Sequence, residues 1–324
     1  MHILLINKTK IPVYAYGGTE RVMWDLGKSL CELGHKVTYL VEEGSECDFA
    51  DVRFIDNNLS WEAQIPDGVD IIHFQFNPGQ EFDRPYLVTE HGNARKPKPF
   101  PRNTNFISKN HAERYGSDVY VHNGLDWSAY GEVDFNTERD HYHFLGKAAW
   151  SVKNVQGAIN IAKKANIKID ILGGDRINFK RGFRWTLTRK ASFHGMVGGE
   201  VKNHLLRTSR GLIFPVRWHE PFGLAIIESM YFGSPVFATP YGAIPEIVPS
   251  HCGHLSAKAD DLCKAILSRE WDYHACHEHA MKYFNSTRMA ISYLELYSNI
   301  IKGDILNKNS PFIRAKSRDL PWFN

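Results

Sequence analysis

The sequence lacks any apolar run long enough to cross a membrane, and it lacks any closely spaced pair of cysteines. The apolar run at residues 3–6 falls far short of the roughly 20 residues that a membrane helix needs, and it is also too short for a signal peptide. The five cysteines are scattered and include no CxxC pair, which favours reduced thiols. We therefore expect a cytoplasmic protein.

A strong net charge is also missing. The 39 Lys and Arg residues nearly balance the 36 Asp and Glu residues, giving a net charge of +3, which is too small to indicate nucleic acid as the main partner. Repeats and low-complexity segments are absent as well. With 43% hydrophobic and 23% charged residues, the composition is typical of a folded globular protein, and 324 residues are enough for two domains.

Short apolar runs alternate with segments of helical periodicity along most of the chain. In residues 19–33, for example, Val22, Leu26 and Leu30 recur every four residues, and Gly34 follows as a stop signal. Helices are predicted at residues 19–33, 153–165, 200–209, 222–232, 260–267, 273–284 and 286–301. Strands are predicted at residues 2–6, 36–41, 52–55, 69–74, 86–89, 105–108, 119–122, 142–145, 168–172, 191–194, 211–214 and 235–238. This alternation predicts an α/β fold with parallel sheets.

The alternating elements fall into two runs, separated by the polar stretch at residues 134–140. We therefore predict two doubly wound, Rossmann-like domains, residues 1–135 and 136–324, facing each other across a cleft. The last helix and the tail are expected to pack back on the first domain. Because ligands of such sheets bind beyond the carboxyl ends of the strands, the loops that follow the strands are the places to look for chemistry.

The strongest local pattern is the run Arg-Trp-His-Glu-Pro-Phe-Gly-Leu-Ala-Ile-Ile-Glu at residues 217–228, between a predicted strand and a predicted helix. The carboxylate of Glu220 can accept hydrogen bonds from sugar hydroxyls, and Gly223 allows a phosphate to approach the helix N-terminus. Glu228 is placed for paired hydroxyls such as those of a ribose. Taken singly, Glu220 could equally be a helix N-cap and Glu228 a solvated helix residue.

Glycines and a histidine follow strands in the first half. Gly17 and Gly18 precede the first helix, where backbone N–H groups favour an anionic group. Their spacing is not GxGxxG, so a nicotinamide cofactor is not indicated. His91 follows the strand at 86–89, which favours a place in the site. His111, at the start of a helical pattern, could equally be a capping or surface residue and is not assigned to the site.

The segment 217–228 resembles the Glu-x7-Glu motif of the family 4 retaining glycosyltransferases, which have the two-domain GT-B fold. Residues 233–236 (Gly-Ser-Pro-Val) and 242–248 (Gly-Ala-Ile-Pro-Glu-Ile-Val) resemble the family's next strand and turn, with Ala243 in place of a second glycine. The resemblance extends over most of the chain. It implies that the first domain lies on the acceptor side and that the second binds a nucleotide-sugar.

The resemblance also implies roles for individual residues. Lys147 and Lys153 would hold the donor diphosphate. The family typically has an arginine at the position of Lys147, and only an arginine could bind a phosphate through two parallel hydrogen bonds. His91 would lie near the donor sugar, and Glu220 would orient it. The implied catalytic residues are His91, Lys147, Lys153 and Glu220. The implied donor-binding residues are Gly17, Gly18, Gly174, His194, Met196, Phe222, Gly223, Leu224 and Glu228.

The implied activity is transfer of a sugar, with retention of configuration, from a nucleotide-diphosphate donor. A UDP- or GDP-sugar is favoured, the acceptor is a glycan, a lipid-linked glycan or a small molecule, and neither a metal nor another cofactor is required. Two alternatives stay open. One is a nucleotide-sugar epimerase on the same fold, and the other is a non-catalytic relative that only binds a sugar nucleotide.

Two further clusters have weaker implications. His274, Cys276, His277 and His279 look like metal ligands, but they lie within one predicted helix, and we expect helix residues and no metal site. The basic, proline-rich segment 94–102 is expected to contact an anionic acceptor or membrane headgroups. This contact would place the protein peripherally at the inner membrane face.

Overall fold

The computed structural model describes residues 1–13, 17–94, 98–179, 183–268, 270–314 and 318–324. The chain divides into two compact units. The first contains Met1–Asp126 and Phe284–Ala315, and the second contains Trp127–Tyr283 and Lys316–Asn324. Within the described ranges, every helix falls short, in length or in apolar character, of what a membrane crossing requires.

The first unit is a parallel sheet with helices between its strands. Its elements are β1 (His2–Ile6), α1 (Gly18–Glu32), β2 (Lys36–Val41), β3 (Asp51–Phe54), α2 (Trp61–Gln64), β4 (Ile71–Phe74), β5 (Tyr86–Glu90), β6 (Thr104–Phe106) and α3 (Lys109–Tyr115). The strand order β3-β2-β1-β4-β5-β6 reverses direction between β1 and β4, the point at which doubly wound sheets bind ligands. The alternation of apolar runs and helical segments is therefore realised as predicted.

The second unit repeats this arrangement. Its elements are β7 (His141–Leu145), α4 (Val155–Lys164), β8 (Ile169–Leu172), β9 (Ile177–Asn178), β10 (Arg184–Trp185), β11 (Ala191–Phe193), α5 (Gly199–Arg207), β12 (Ser209–Phe214), α6 (Leu224–Tyr231), β13 (Val236–Ala238), α7 (Ile244–Ile247), β14 (Gly253–Leu255), α8 (Ala259–Ser268) and α9 (Tyr273–Tyr283), with 3-10 turns at Trp127–Tyr130 and Ser151–Lys153. The main sheet has the order β11-β8-β7-β12-β13-β14, and its pairs are parallel. Its reversal lies between β7 and β12.

The last helix, α10 (Ser286–Ile301), belongs to the first unit. Its Tyr297 hydroxyl lies 2.8 Å from Nδ1 of His73, a fully buried residue of β4, and its Tyr293 hydroxyl lies 3.1 Å from the Thr89 hydroxyl. Burial holds the pKa of His73 well below its ordinary value, so the imidazole is neutral and can fill one donor and one acceptor role in this network. Polar bonds inside the core thus fix α10 to the sheet.

The chain tail contributes to both units. Phe312 donates a backbone hydrogen bond to the Tyr115 carbonyl in the first unit. Further along, Leu320 donates to the Arg217 carbonyl, and the Phe323 carbonyl accepts from Ala259 in the second unit. The backbone of tail residues 318–324 therefore pairs with the second unit.

Most predicted elements are present within one or two residues of their expected limits, and the α/β fold class is confirmed. The predicted strand at 119–122 is wrong, because Tyr120 forms only an isolated bridge with Phe106. The strand β14 was not predicted. It is three residues long and begins with Gly253, where an added Cβ would meet the Val236 carbonyl oxygen at 2.1 Å. Such a short strand lacks the apolar run on which sequence patterns depend.

Candidate active site

An ion pair lies at the carboxyl edge of the second sheet. Nζ of Lys153 is 2.7 Å from Oε2 of Glu220, and both side chains are nearly enclosed, with exposures of 12% and 7%. The indole N–H of Trp218 donates to the same carboxylate oxygen at 2.7 Å. The ammonium also lies over the rings of Phe214 and Trp218, at 5.0 and 4.9 Å from their centres. Two residues predicted to act on the donor are therefore in direct contact.

Asn154 connects the loops that carry these two side chains. It adopts a left-handed conformation with φ of 52°, which asparagine tolerates better than most residues other than glycine. Its Oδ1 accepts from the Gly157 N–H at the start of α4, and its Nδ2 donates to the Pro215 carbonyl after β12. The start of α4 is thereby tied to the loop that carries Glu220.

Gly242 supports the backbone of Glu220. Its φ is +69°, and an added Cβ would meet the Glu220 carbonyl oxygen at 2.2 Å and its nitrogen at 2.3 Å. The neighbouring Ala243 N–H donates to the Glu220 carbonyl at 2.9 Å. The loop after β13 therefore sets the position of Glu220, and a side chain at residue 242 would displace it.

The rest of the predicted motif forms the start of α6. Gly223, with φ of +100°, is the N-cap, so the alternative interpretation of Glu220 as the N-cap is wrong. Leu224 begins the helix, whereas Phe222 is only 1% exposed and packs in the core. Gly223 and Leu224 thus present a helix N-terminus at the sheet edge, and Phe222 anchors it.

Two other loops meet at the same edge. Gly173 follows β8, donates to the Gly195 carbonyl at 2.7 Å, and would place an added Cβ 2.2 Å from the Gly146 carbonyl oxygen. Gly174 forms an isolated bridge with Gly195. Glycine is required at position 173 because its Cα lies against the backbone of Gly146, where a side chain would not fit.

The neighbouring predicted residues differ in exposure. Nε2 of His194 lies 3.2 Å from the Asp170 carboxylate, and Met196 is 48% exposed. Lys147 follows β7 with its ammonium 5.5 Å from the centre of the Trp150 ring. These three residues follow β11 and β7, so they share the edge with Glu220.

Glu228 has different neighbours from those expected. It is 5% exposed, forms an ion pair with Lys202 of α5, and accepts a hydrogen bond from the Tyr130 hydroxyl at 2.9 Å. The interpretation of Glu228 as a solvated helix residue is therefore wrong. Lys202 and Tyr130 were missed because nothing in their local sequence marks them as partners of a residue so far along the chain.

In the first unit, Gly17 is buried immediately before α1 and Gly18 begins the helix. An added Cβ at Gly17 would lie 2.8 Å from both the Glu20 carboxylate and the Val13 side chain. The preceding residues Tyr14–Tyr16, part of the predicted glycine-rich loop, lie outside the described residues.

His91 lies at the carboxyl end of β5. Its Nε2 is 2.8 Å from Oε1 of Gln75, which follows β4, the strand beside the reversal point. Burial lowers the pKa of His91 to about 4, so the ring is neutral at pH 7. With Nε2 donating to Gln75, Nδ1 is left as the acceptor. Gln75 was missed by sequence analysis, although its place directly after a strand is the signal that identified His91.

Two side chains of α3 position the turn that carries His91. Nε2 of His111 lies 2.9 Å from the Gly92 carbonyl, and the Tyr115 hydroxyl accepts from the Ala94 N–H at 2.7 Å. Burial lowers the pKa of His111 to about 3. The expectation that His111 is a cap or surface residue is wrong, since it is fully buried and Ser108 caps α3.

A polar cavity of about 570 Å³ lies at the carboxyl edge of the first sheet. Its lining includes Lys8 and Lys10 after β1 and Glu42 and Glu43 after β2. Side chains of both charges suit a hydroxyl-rich ligand, which can both donate and accept hydrogen bonds.

The four residues that resemble metal ligands have separate surroundings. The His274 ring stacks on Phe135 at 3.8 Å, and Nδ1 of His277 contacts the Tyr231 carbonyl. Only His279 belongs to a group with converging ligand atoms, which lie within 4.8 Å of those of His251 and Cys252. Since Cys252 directly precedes β14, this group is at the amino end of that strand, away from the loops described above.

Comparisons with known proteins relate part of the second unit to a family. The family model described as "Glycosyl transferases group 1" matches residues 138–269, which include Lys147, Lys153, Glu220 and Glu228. This segment belongs to the group 1 glycosyltransferase family. The predicted resemblance is therefore confirmed.

Two curated proteins are similar to parts of this chain. An uncharacterized 41.2 kDa protein from the cps region of Klebsiella pneumoniae is 28% identical over 96 residues, which are 27% of this chain and 26% of that protein. Sucrose synthase 1 of Oryza sativa subsp. japonica is 30% identical over 95 residues, which are 29% of this chain and 11% of that protein. The matches thus span a small part of each relative's length.

Solved structures match nearly the whole chain. AviGT4, a glycosyltransferase involved in avilamycin A biosynthesis, has a TM-score of 0.76 at 20% identity, covering 93% of this chain and 98% of that one. HepE of Anabaena in complex with UDP-glucose scores 0.65 at 15% identity, covering 92% and 100%. The catalytic domain of starch synthase IV from Arabidopsis thaliana, bound to ADP and acarbose, scores 0.67 at 12% identity, covering 93% and 99%. The chain has the GT-B fold of these enzymes.

The Gly242→Ala variant is expected to be less stable than wild type by clearly more than the roughly 1–2 kcal/mol that a left-handed conformation costs a residue with a Cβ. The excess arises because the new Cβ meets the Glu220 backbone. Gly199→Ala is the matched control, since Gly199 also has a positive φ (+53°) but no heavy atom within 4 Å of its Cβ position. Thermal unfolding measures both, and equal losses would contradict this account of Gly242.

Glu90 is expected to make stability depend on pH. Burial raises the pKa of its carboxyl to about 7, so the stability that the protonated form provides is present at low pH and is lost as pH rises through about 7. Glu90→Gln stays neutral, and its Oε1 can still accept from the Gly92 N–H. Its stability relative to wild type should therefore increase from pH 5 to pH 8, by up to about 3 kcal/mol.

Denaturant unfolding at both pH values measures this effect. The matched control is Glu113→Gln, a replacement of an exposed carboxylate paired with Lys109. Its difference from wild type should be small and similar at both pH values. A Glu90→Gln difference that is equally constant would contradict the proposed burial effect.

Proposed function

We propose that this protein transfers a sugar from a nucleotide-diphosphate donor to an acceptor, with retention of anomeric configuration. The observation that carries the proposal is the Lys153–Glu220 contact of 2.7 Å at the edge where strand β12 ends. The Lys153 ammonium can bind a phosphate, and the adjacent Glu220 carboxylate can accept hydrogen bonds from sugar hydroxyls. The pair therefore suits a ligand in which a phosphate and a sugar are adjacent. The similar structures with UDP-glucose and with ADP support a nucleotide-sugar as this ligand.

Each residue of the pair has a distinct role in this proposal. Lys153, with Lys147, stabilises the negative charge that grows on the leaving diphosphate as its bond to the sugar breaks. Glu220 accepts hydrogen bonds from sugar hydroxyls and orients the sugar. Trp218 holds the carboxylate and covers the ammonium, so both groups are preorganised and shielded from water.

The remaining predicted residues complete the proposal. The N-terminus of α6 at Gly223 and Leu224 faces the phosphates, and the loop around Gly174, His194 and Met196 receives the nucleotide. His91, fixed by Gln75, hydrogen-bonds a sugar hydroxyl through Nδ1. The acceptor, a glycan, a lipid-linked glycan or a small molecule, attacks on the face from which the diphosphate departs.

Glu228 retains its proposed contact with the ribose. Its ion pair with Lys202 and its bond to Tyr130 hold the carboxylate in one orientation, which limits how the hydroxyls of a ribose can meet it. We favour a UDP- or GDP-sugar as the donor.

The Glu220→Gln variant tests the division of roles. This variant should bind a nucleoside diphosphate as tightly as wild type does. It should lose the extra affinity that wild type has for the corresponding nucleotide-sugar, and it should release nucleotide from that nucleotide-sugar at least about 100-fold more slowly. A thermal-shift panel with UDP, GDP, ADP, TDP and their sugars identifies the donor, since a ligand at 100 times its Kd stabilises by about 2.7 kcal/mol. Nucleotide release is measured by analysis of the reaction products.

A control separates chemistry from stability. Breaking a nearly buried ion pair leaves Lys153 unpaired and is destabilising by about 3–5 kcal/mol. The double variant Lys153→Met, Glu220→Gln removes both charges and should unfold at a higher temperature than Glu220→Gln, yet stay inactive. Wild-type turnover by either variant would overturn the proposal, and conversion of the donor to an isomer without nucleotide release would identify an epimerase.

The proposed reaction needs no metal ion, because lysines and a helix N-terminus supply the positive charge at the diphosphate. We expect nucleotide release after EDTA treatment and desalting to stay within about twofold of the untreated rate. Steady-state assays with and without added Mg²⁺ or Mn²⁺ measure this. A rate that vanishes with EDTA and returns with Mg²⁺ would contradict the assignment to Lys147 and Lys153.

A further inference from the structure

A small hairpin projects from the second unit between β8 and β11. Its strands β9 and β10 are antiparallel, with Trp185 opposite Ile177 and Arg184 opposite Asn178. Residues 180–182, which join the strands in the sequence, lie outside the described residues. The rings of Phe179 and Phe183, the next pair along the hairpin, lie 5.6 Å apart.

The hairpin presents its apolar side chains outward. Because successive residues of a strand point to opposite faces, the odd-numbered positions share one face. In the described parts 177–179 and 183–187, the odd-numbered residues are all apolar and strongly exposed: Ile177 (46%), Phe179 (77%), Phe183 (68%), Trp185 (59%) and Leu187 (75%). Sheets that lie on a core normally show the reverse alternation, with apolar residues inward and polar residues outward.

The polar residues point inward and fasten the hairpin. The guanidinium of Arg176 donates to the carbonyls of Thr186, Thr188 and Ala191 at 3.0, 2.9 and 2.5 Å. Arg184 donates to the Asp175 carbonyl at 2.8 Å, and Thr186 is only 4% exposed. The outward position of the apolar face is therefore built into the fold.

Such a face needs an explanation, because folded proteins rarely expose contiguous apolar patches unless these bind something. A two-stranded ribbon is also marginal in water without a surface to cover it. Single exposed apolar residues would be ordinary, but five on one face of one hairpin are not.

The charge around this face indicates which surface covers it. The described part of residues 175–190 contains four Lys or Arg residues and one acidic residue, Asp175. Arg176 and Arg184 bind backbone carbonyls, and Arg189 and Lys190 directly follow the apolar residues in the chain. Aromatic rings prefer the boundary between water and hydrocarbon, and cations beside them attract anionic headgroups. The aliphatic Ile177 and Leu187 add hydrocarbon contact that a sugar-stacking platform of aromatic rings would not need.

We propose that the outer face of the β9–β10 hairpin inserts into the headgroup region of an anionic lipid bilayer and attaches the protein peripherally. This assigns a membrane contact to the second unit. Residues 95–97 of the basic segment 94–102, for which the sequence also predicts such a contact, lie outside the described residues. In that segment, Arg102 is paired with Glu81, and Phe100 is 5% exposed and packs inside the first unit. The proposal does not depend on glycosyl transfer.

Sedimentation with vesicles tests the proposal. Wild-type protein should bind vesicles of phosphatidylcholine with about 30% phosphatidylglycerol, bind pure phosphatidylcholine vesicles more weakly, and lose binding in about 0.5 M NaCl as screening increases. Phe183→Ser with Trp185→Ser should lower the partition coefficient at least about tenfold, because two large apolar side chains no longer enter the bilayer. Arg189→Gln with Lys190→Gln should weaken binding to the anionic vesicles alone.

The matched control is Phe54→Ser with Leu59→Ser, which removes two apolar residues of similar exposure (50% and 52%) from the first unit. This variant should bind as wild type does, and unchanged thermal unfolding shows that each variant is folded. The proposal fails if wild type binds neither vesicle or if the hairpin variant binds equally well. It also fails if sedimentation velocity shows a dimer that the hairpin variant abolishes, because the face would then bind a second copy of this chain.

Discussion

Parallel strand pairing is the constraint on which the rest of this structure depends. In a parallel sheet every loop that follows a strand emerges at the same edge, so residues far apart in sequence are collected without any local signal. In the second unit this edge gathers the loops after β7, β8, β11, β12 and β13. In the first unit it brings Gln75, after β4, to His91, after β5. The same strand order in both sheets means that one rule locates the candidate residues of each unit.

The Lys153–Glu220 pair illustrates how such an edge becomes chemically specific. Taking two charges out of water is expensive, and a nearly buried ion pair is weak evidence for a contribution to stability. Here the surroundings hold the pair from several sides, with Trp218 on the carboxylate, Asn154 between the two loops and Gly242 under the Glu220 backbone. Side chains fixed to this degree are suited to bind a charged ligand without further reorganisation, which is how an enzyme stabilises a developing charge.

The hairpin shows the opposite balance. Its Arg176 and Arg184 guanidinium groups donate hydrogen bonds to backbone carbonyls, and its apolar residues face water. Folding alone does not favour this arrangement, since burying the aromatic rings would be more stable. The hydrogen bonds from Arg176 to three backbone carbonyls fix which face of the hairpin points to solvent. A surface that is maintained against the hydrophobic effect belongs to a function outside the unit's own core.

Much of this protein is predictable from its sequence, because the relevant signals are local. Helical periodicity predicts the helix at 286–301, the alternation of strands and helices predicts two doubly wound sheets, and the motif at 217–228 by itself indicates Glu220. These features depend on residues within one or two turns of each other. Short elements such as β14 are missed because three residues carry no pattern.

The partners of the site residues were decided only by the tertiary structure. Nothing near Glu228 in the sequence predicts Lys202 and Tyr130, and nothing near Glu220 predicts that its carboxylate meets Lys153. The hairpin makes the same point, since its alternation predicts two faces but not which one points to water. The sequence determined the elements and the chemical groups they carry. Packing of distant segments determined which groups meet, because burial and hydrogen bonding are set by neighbours that the chain brings together only when it folds.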